Sequence, residues 1–276
     1  MRTLTLNNGL VIPAIGFGTY KAELDTIMKS LEAGYIYFDT ASYYGNEADI
    51  AQALEYSGVK REKVFIASKL WKSDAGYSNT MKAFARTLEA LRSDYVDVYM
   101  IHWPRPNLEL KEWEALNLET WQAMEELYSQ GKIRALGLSN FLPYHAESII
   151  NNCKIMPSVA QIEFHAGHTQ AFALEYYRRK AIQVQAWSPI GRGRVLDDVL
   201  IRELAGKYRI TPAQVCISFC LHEGVMPLPK ASSPERLREN LECLDVELDD
   251  VDVSRIENMP PLGWSGEHPD RVRVKI

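Results

Sequence analysis

At 276 residues the chain is long enough for two average domains, yet a barrel of alternating strands and helices uses this length as one unit. Hydrophobic residues at 46% and charged ones at 24% are ordinary for a globular protein, and a net charge of −5 provides no basic footprint for nucleic acid or anionic lipid. No apolar stretch approaches the roughly 20 residues that span a bilayer, and no apolar leader opens the sequence. The expectation is a cytoplasmic protein, a monomer, acting on a small molecule without a nucleic-acid or membrane partner.

In chain order, "TLTL" and "LVIP" flank "NNG" and read as a short hairpin with an Asn-Gly turn over residues 1–13. Eight apolar and aromatic runs follow: "AIGFG" from 14, "YIYFDTA" from 35, "VFIASKL" from 64, "VDVYMIH" from 96, "ALGLSN" from 135, "AQIEF" from 160, "VQAWSP" from 184 and "VMPLPKA" from 225. Helical periodicity fills the gaps, as in residues 80–92, where Met81, Phe84, Leu88 and Leu91 recur at three or four, and in 117–131, which closes on a glycine. Eight such units predict a closed (β/α)8 barrel occupying 1–276 as one domain, with a tail over 260–276. The runner-up is an open doubly wound sheet, but "GFGT" supplies G-x-G with no third glycine.

Barrel enzymes carry their chemistry at the C-terminal ends of the strands. Asp39, Lys69, His102, Ser139 with Asn140, Gln161, Trp187 and Lys230 are the unusual residues of the eight runs, and nearly all fall late in them. Asp39, Lys69 and His102 end three successive strands, with Tyr43 and Tyr44 just beyond the first of these. Singly, each has a structural reading: a solvated acid, a salt-bridge lysine, a satisfied core histidine. Jointly they suit protonation of an alkoxide formed from a carbonyl, which needs a donor about 2.6 to 3.2 Å away. Tyrosine, with a pKa near 10, is a reluctant acid. Lowering it by about 2 to 3 units takes roughly 3 to 4 kcal/mol, about what one ammonium supplies at about 4 Å with an effective dielectric of 20. Lys69 is expected to do this, Asp39 to keep Lys69 charged, and His102 to polarise the carbonyl.

"DTASYYGNE", "SKLW", "IHWP", "GLSNF", "QIEFH", "AWSPIGRG" and "LPKASSPERLREN" stand in the order and spacing of the aldo-keto reductase superfamily, which the chain resembles from Gly16 to Asn240. The shorter bacterial members, similar to diketogluconate, glyoxal and methylglyoxal reductases, are the nearest likeness. The resemblance implies a (β/α)8 TIM barrel with an N-terminal β-hairpin, NADPH (NADP+) held at the barrel mouth, and reduction of a small-molecule carbonyl substrate. It selects Asp39, Tyr44, Lys69 and His102 as the catalytic tetrad and leaves Tyr43 as wall or core. It also implies cofactor contacts: Gly18 and Thr19 in the first-strand turn, Ser139, Asn140 and Gln161 for the nicotinamide carboxamide, Trp187 as the stacking aromatic with Ser188 after it, Lys230 and Arg236 for the 2′-phosphate, and Glu239 and Asn240 for adenine. Tyr20, Trp71, Trp103 and Trp264 are implied as pocket walls, and the short tail implies an open site for small aldehydes, ketones or keto-sugars.

Three departures from the family pattern are visible: Ala231 replaces the usual Ser after the lysine, Ala160 the Asn before Gln161, and Ala166 the Pro after His165. Rival readings carry less. Y-x-x-x-K occurs at Tyr56/Lys60, Tyr128/Lys132 and Tyr176/Lys180, which among 14 tyrosines mainly shows how weak that pattern is. His102, His165 and His168 lack the His-x-His pair of a metal-dependent barrel hydrolase, so no metal is expected. A barrel that senses the cofactor without turning it over is disfavoured by the full tetrad. Cys153, Cys216, Cys220 and Cys243 show no C-x-x-C spacing and are expected as reduced thiols.

Overall fold

A computed structural model describes residues 2–271; Met1 of the expected hairpin and residues 272–276 of the expected tail lie outside the described residues. The hairpin forms from β1 (Thr3–Thr5) and β2 (Val11–Pro13), with Leu4 opposite Ile12. Its turn is the three-residue loop 7–9, which contains the expected Asn-Gly pair. Leu6 N–H donates to Leu10 O and Gly9 N–H donates to Leu6 O, with Gly9 at φ +84° taking the left-handed position.

All eight expected strands form: β3 (Phe17–Gly18), β4 (Tyr37–Asp39), β5 (Phe65–Leu70), β6 (Val96–Ile101), β7 (Ile133–Ser139), β8 (Val159–Glu163), β9 (Gln183–Trp187) and β10 (Met226–Leu228). They pair in parallel in chain order from β3 to β10. The first and last strands are joined by Gly16 N–H donating to Pro227 O and Gly18 N–H to Pro229 O, both at 3.1 Å. A Cβ on Gly18 would stand 2.9 Å from Leu228 O, so the seam requires a glycine there. The (β/α)8 barrel with its N-terminal hairpin is therefore the observed fold.

Two apolar layers hold it. Inside the barrel, Tyr37, Ala67, Val98, Met100, Ala135, Val159, Met226 and Leu228 pack together, and Leu6 and Ile12 of the hairpin join them from the N-terminal end. Outside, helices bury one stripe each on the strands. The helix Tyr77–Leu91 buries Thr80, Ala83, Phe84, Thr87 and Leu91, whereas Met81 and Leu88 are only partly covered. Its inward stripe thus lies one position from the purely apolar one, because Thr80 satisfies its own hydroxyl by donating to Gly76 O at 2.7 Å and can be buried.

Candidate active site

The barrel brings the strand-end residues together. Asp39 is the last residue of β4, Lys69 the fifth of six in β5, and His102 follows β6. Beyond β4 the chain makes one tight turn, Ser42–Tyr44, stopped by Gly45 at φ +70°. That turn is anchored at both ends. Ser42 Oγ donates to Lys69 O at 3.0 Å, while buried Asn46 donates to Thr19 O and Ala22 O and accepts from the hydroxyls of Thr40 and Thr19. Tyr44 is consequently placed by a fully bonded frame rather than by a free loop.

Lys69 is 0% and Asp39 4% exposed, and their Nζ and Oδ2 atoms lie 2.7 Å apart. Lys69 also donates to Thr40 O at 2.9 Å, and Asp39 Oδ1 accepts from Gln161 Nε2 at 2.7 Å. Burial lowers the Lys69 pKa from the ordinary lysine range, opposed by the attraction of Asp39. Lys69 Nζ is 5.1 Å from the Tyr44 ring centre. The Tyr44 ring is in turn 5.7 Å from that of His102 and 5.0 Å from that of Tyr20.

One electrostatic expectation is overturned here. Tyr44 is pushed well above the ordinary tyrosine pKa, first by burial and then by the Asp39 carboxylate, and not drawn down by Lys69. The ammonium is tied to Asp39 at 2.7 Å, so the phenol faces a pair whose carboxylate end raises its pKa, on top of a dominant desolvation. His102 is held well below the usual histidine pKa by burial and then by Lys69, so its imidazole is neutral.

Aromatic walls surround this corner. Trp71 sits edge-on to His102 at 5.2 Å and stacks on Tyr43 at 3.9 Å. Tyr43, 55% exposed, is therefore wall rather than core. Tyr20 is also exposed. Trp103, Trp187 and Trp264 line a neighbouring cleft of about 270 Å³ together with Asn140, Glu163 and His168.

The expected cofactor residues divide into those with bonding capacity toward the mouth and those already occupied. Thr19 gives its N–H to Asp39 O and shares its one hydroxyl hydrogen between Asp39 O and Asn46 Oδ1. Asn140, at φ +62°, donates to His102 O and Ser139 Oγ and accepts from Trp187 Nε1 at 2.8 Å. Ser139, 1% exposed, keeps its hydroxyl hydrogen to donate, and Gln161, 1% exposed, keeps its Oε1 to accept. Ser188, at φ +54°, accepts from Arg192 Nε, and the Arg192 guanidinium lies 5.6 Å from the Trp187 ring centre. Lys230 is exposed beyond β10 and donates to Lys21 O. Arg236 is exposed in the first turn of the helix Pro234–Glu242, capped by Ser233. Glu239 is half-buried, whereas Asn240 faces inward at 5% exposure.

The described part of the tail is bonded to the barrel. Buried Glu163 accepts from Ser265 N at 2.8 Å and from its hydroxyl at 2.6 Å, and Asp270 accepts from His145 Nε2 at 2.9 Å. These ties lay Trp264 over the β8 side of the mouth, so the tail makes a wall. Asn46, Glu163 and Gln185 are functional-site neighbours that sequence reasoning passed over. Gln185 carried the one available signal, a polar residue at a strand position sharing a face with Trp187.

A (β/α)8 barrel with a buried Lys–carboxylate pair beside a tyrosine and a neutral histidine at its mouth defines a narrow class. The chain belongs to the aldo/keto reductase family, whose model matches residues 14–260. Among its relatives, glyoxal reductase of Bacillus subtilis is 37% identical, with 98% of this chain and 97% of that protein covered. Methylglyoxal reductase DkgA of Escherichia coli K12 is 34% identical, with 97% of each covered. Among solved structures, the Gox0644 D53A mutant in complex with NADPH is 32% identical with a TM-score of 0.90, covering 99% of both chains.

Among the described residues, no helix is long and apolar enough to cross a membrane and no group of three or more His, Cys, Asp or Glu is placed to hold a metal ion.

Proposed function

We propose that the protein reduces small aldehydes, ketones, dicarbonyls or keto-sugars to alcohols with NADPH, and that Tyr44 is the general acid. The observation that carries this reading is the convergence of one half-buried phenol, one neutral imidazole and one buried ion pair at 2.7 Å on a single corner of the barrel mouth. The names of the glyoxal and methylglyoxal reductases among the relatives support the substrate class.

The residues present fit a nicotinamide. A carboxamide offers one acceptor and one donor group, and the mouth offers the complement: the Ser139 hydroxyl hydrogen to donate and Gln161 Oε1 to accept. Trp187, half-buried and fixed by its bond to Asn140, supplies a flat apolar face. Asn140 supports both through its three bonds. Gly18 and Thr19 would hold the cofactor from the first-strand side, and Ser188 begins the loop that would cover its diphosphate. Lys230 and Arg236, near a capped helix start, suit a 2′-phosphate dianion even with Ala231 beside them. Glu239 is the better placed for adenine, and inward-facing Asn240 for holding that helix.

When bound, the nicotinamide supplies the hydride that reduces the carbonyl carbon. Neutral His102 has one ring N–H to donate and polarises the carbonyl oxygen. Tyr44 then gives its proton to that oxygen as negative charge grows on it. The raised pKa keeps the phenol protonated until this moment, and an alkoxide is basic enough to take the proton. Two Lys69 hydrogens are held by Asp39 and Thr40 O, which leaves the third to meet the phenolate as it forms. Tyr20, Trp71, Trp103 and Trp264 bound the substrate space and exclude water.

An NADPH-oxidation screen over aldehydes, dicarbonyls and keto-sugars, repeated with NADH, tests this. Consumption of NADPH with at least one carbonyl, faster than of NADH, is expected; tight NADPH binding with no turnover on any carbonyl would contradict it.

A further inference from the structure

Gln185 lies in the middle of β9, in register with Gln161 of β8 on one side and Met226 of β10 on the other. It is 0% exposed, and a buried amide is costly unless its polar ends are paired. Both ends are. Gln185 Oε1 accepts from Gln161 Nε2 at 3.1 Å, and Gln185 Nε2 donates to the hydroxyl of Tyr37, itself 0% exposed, at 2.8 Å. Gln161 Nε2 also donates to Asp39 Oδ1 at 2.7 Å.

A primary amide has two hydrogens, so these two bonds exhaust the Gln161 nitrogen. Its plane is then fixed and only Oε1 remains for a ligand. With one bond alone, to Asp39, the amide would be free to rotate about that contact, and its oxygen would no longer be aimed.

We propose that Gln185 is a positioning residue for the cofactor: through Tyr37 and Gln161 it fixes a hydrogen-bond acceptor at the barrel mouth that recognises the amide hydrogens of a nicotinamide carboxamide. The inference rests on the NADPH reading above and adds the group that sets how the ring is read. The same chain ties ring recognition to the Asp39–Lys69 pair, because one Gln161 nitrogen serves both.

The test compares binding of NADP+ with that of 3-acetylpyridine adenine dinucleotide phosphate, whose ring keeps the carbonyl acceptor but has a methyl in place of the NH2. The wild-type protein should favour NADP+ by about fivefold, the equivalent of one buried hydrogen bond. Gln185→Met, which has similar volume and no amide, should bring the ratio close to one. Gln185→Glu retains an acceptor for Gln161 and should keep most of it. General loosening of the barrel would weaken both nucleotides together and leave the ratio alone, so an unchanged ratio in Gln185→Met, or a wild-type ratio near one, overturns the proposal. If the wild-type protein binds neither nucleotide, the cofactor reading itself falls and takes this inference with it. A measurement on the native chain stands independently of any variant's folding: both side-chain amide hydrogens of Gln161 should exchange slowly in NMR, and exchange of either at the free-amide rate overturns the proposal.

Discussion

Lys69 and Asp39 offer a quantitative handle, because both are buried and their opposite charges lie 2.7 Å apart. Lys69→Met leaves the Asp39 carboxylate with the Gln161 N–H alone, and breaking a buried pair in this way costs about 3 to 5 kcal/mol. Asp39→Asn leaves a buried ammonium facing Thr40 O and a neutral amide, with a cost of similar size. The double variant holds no charge at either position and keeps the volumes, so its loss should not exceed that of the worse single. Additivity would give roughly 6 to 10 kcal/mol; the expected shortfall is about 3 kcal/mol or more. Urea unfolding of the four proteins, with slopes compared to confirm a common unfolded state, measures it. Additive losses would show that the two charges do not stabilise each other and would refute the electrostatics assigned to the corner, including the reason given for the high Tyr44 pKa.

Turnover should show no acid limb near pH 6.5, because His102 takes up a proton only well below that value, and reduction falls only as pH drops through the lowered pKa. At the alkaline end Tyr44 stays protonated beyond 10, so the first loss as pH rises belongs to Lys69, below the ordinary 10.5; an acid limb at 6.5 in the kcat profile would contradict the His102 assignment, and the absence of any alkaline loss below 10.5 would contradict that of Lys69. Arg236→Ala should weaken NADPH by about tenfold or more and NADH little, read by nucleotide fluorescence titration, since one charge-assisted bond is worth about 1.5 to 3 kcal/mol; equal effects on the two would remove it from phosphate recognition. Ser265→Ala removes one of the two bonds from Glu163 to the tail and should raise KM severalfold with kcat nearly unchanged, while the tail becomes more sensitive to protease.

The strand-end pattern was legible because β-strands and helices alternate with different periods and the chemistry-bearing residues break the apolar runs at one end. That placed Asp39, Lys69, His102, Ser139 and Trp187 where they are found. Choosing Tyr44 over Tyr43 was not possible from periodicity, since the two are adjacent in a turn; only the resemblance selected it, and the structure shows the physical difference, with Tyr43 turned outward onto Trp71. The direction of the Tyr44 pKa was out of reach for another reason: it depends on how closely Asp39 neutralises Lys69 and on burial, both of which are three-dimensional. Asn46 and Gln185 escaped because a lone polar residue in a turn or a short strand reads as solvent-facing until its buried partners are known. The attachment of the tail is not legible in the sequence, because nothing local in "GWSGEHPD" announces bonds to Glu163 and His145, which lie more than 100 residues away.

The assignment of Tyr44 as proton donor is tested most directly by Tyr44→Phe, which removes one hydroxyl and keeps the ring between Tyr20 and His102. With a carbonyl substrate identified in the NADPH screen, the variant should lose at least about 10²-fold in kcat while binding NADPH as the wild-type protein does. Carbonyl reduction at an unchanged rate would contradict the account.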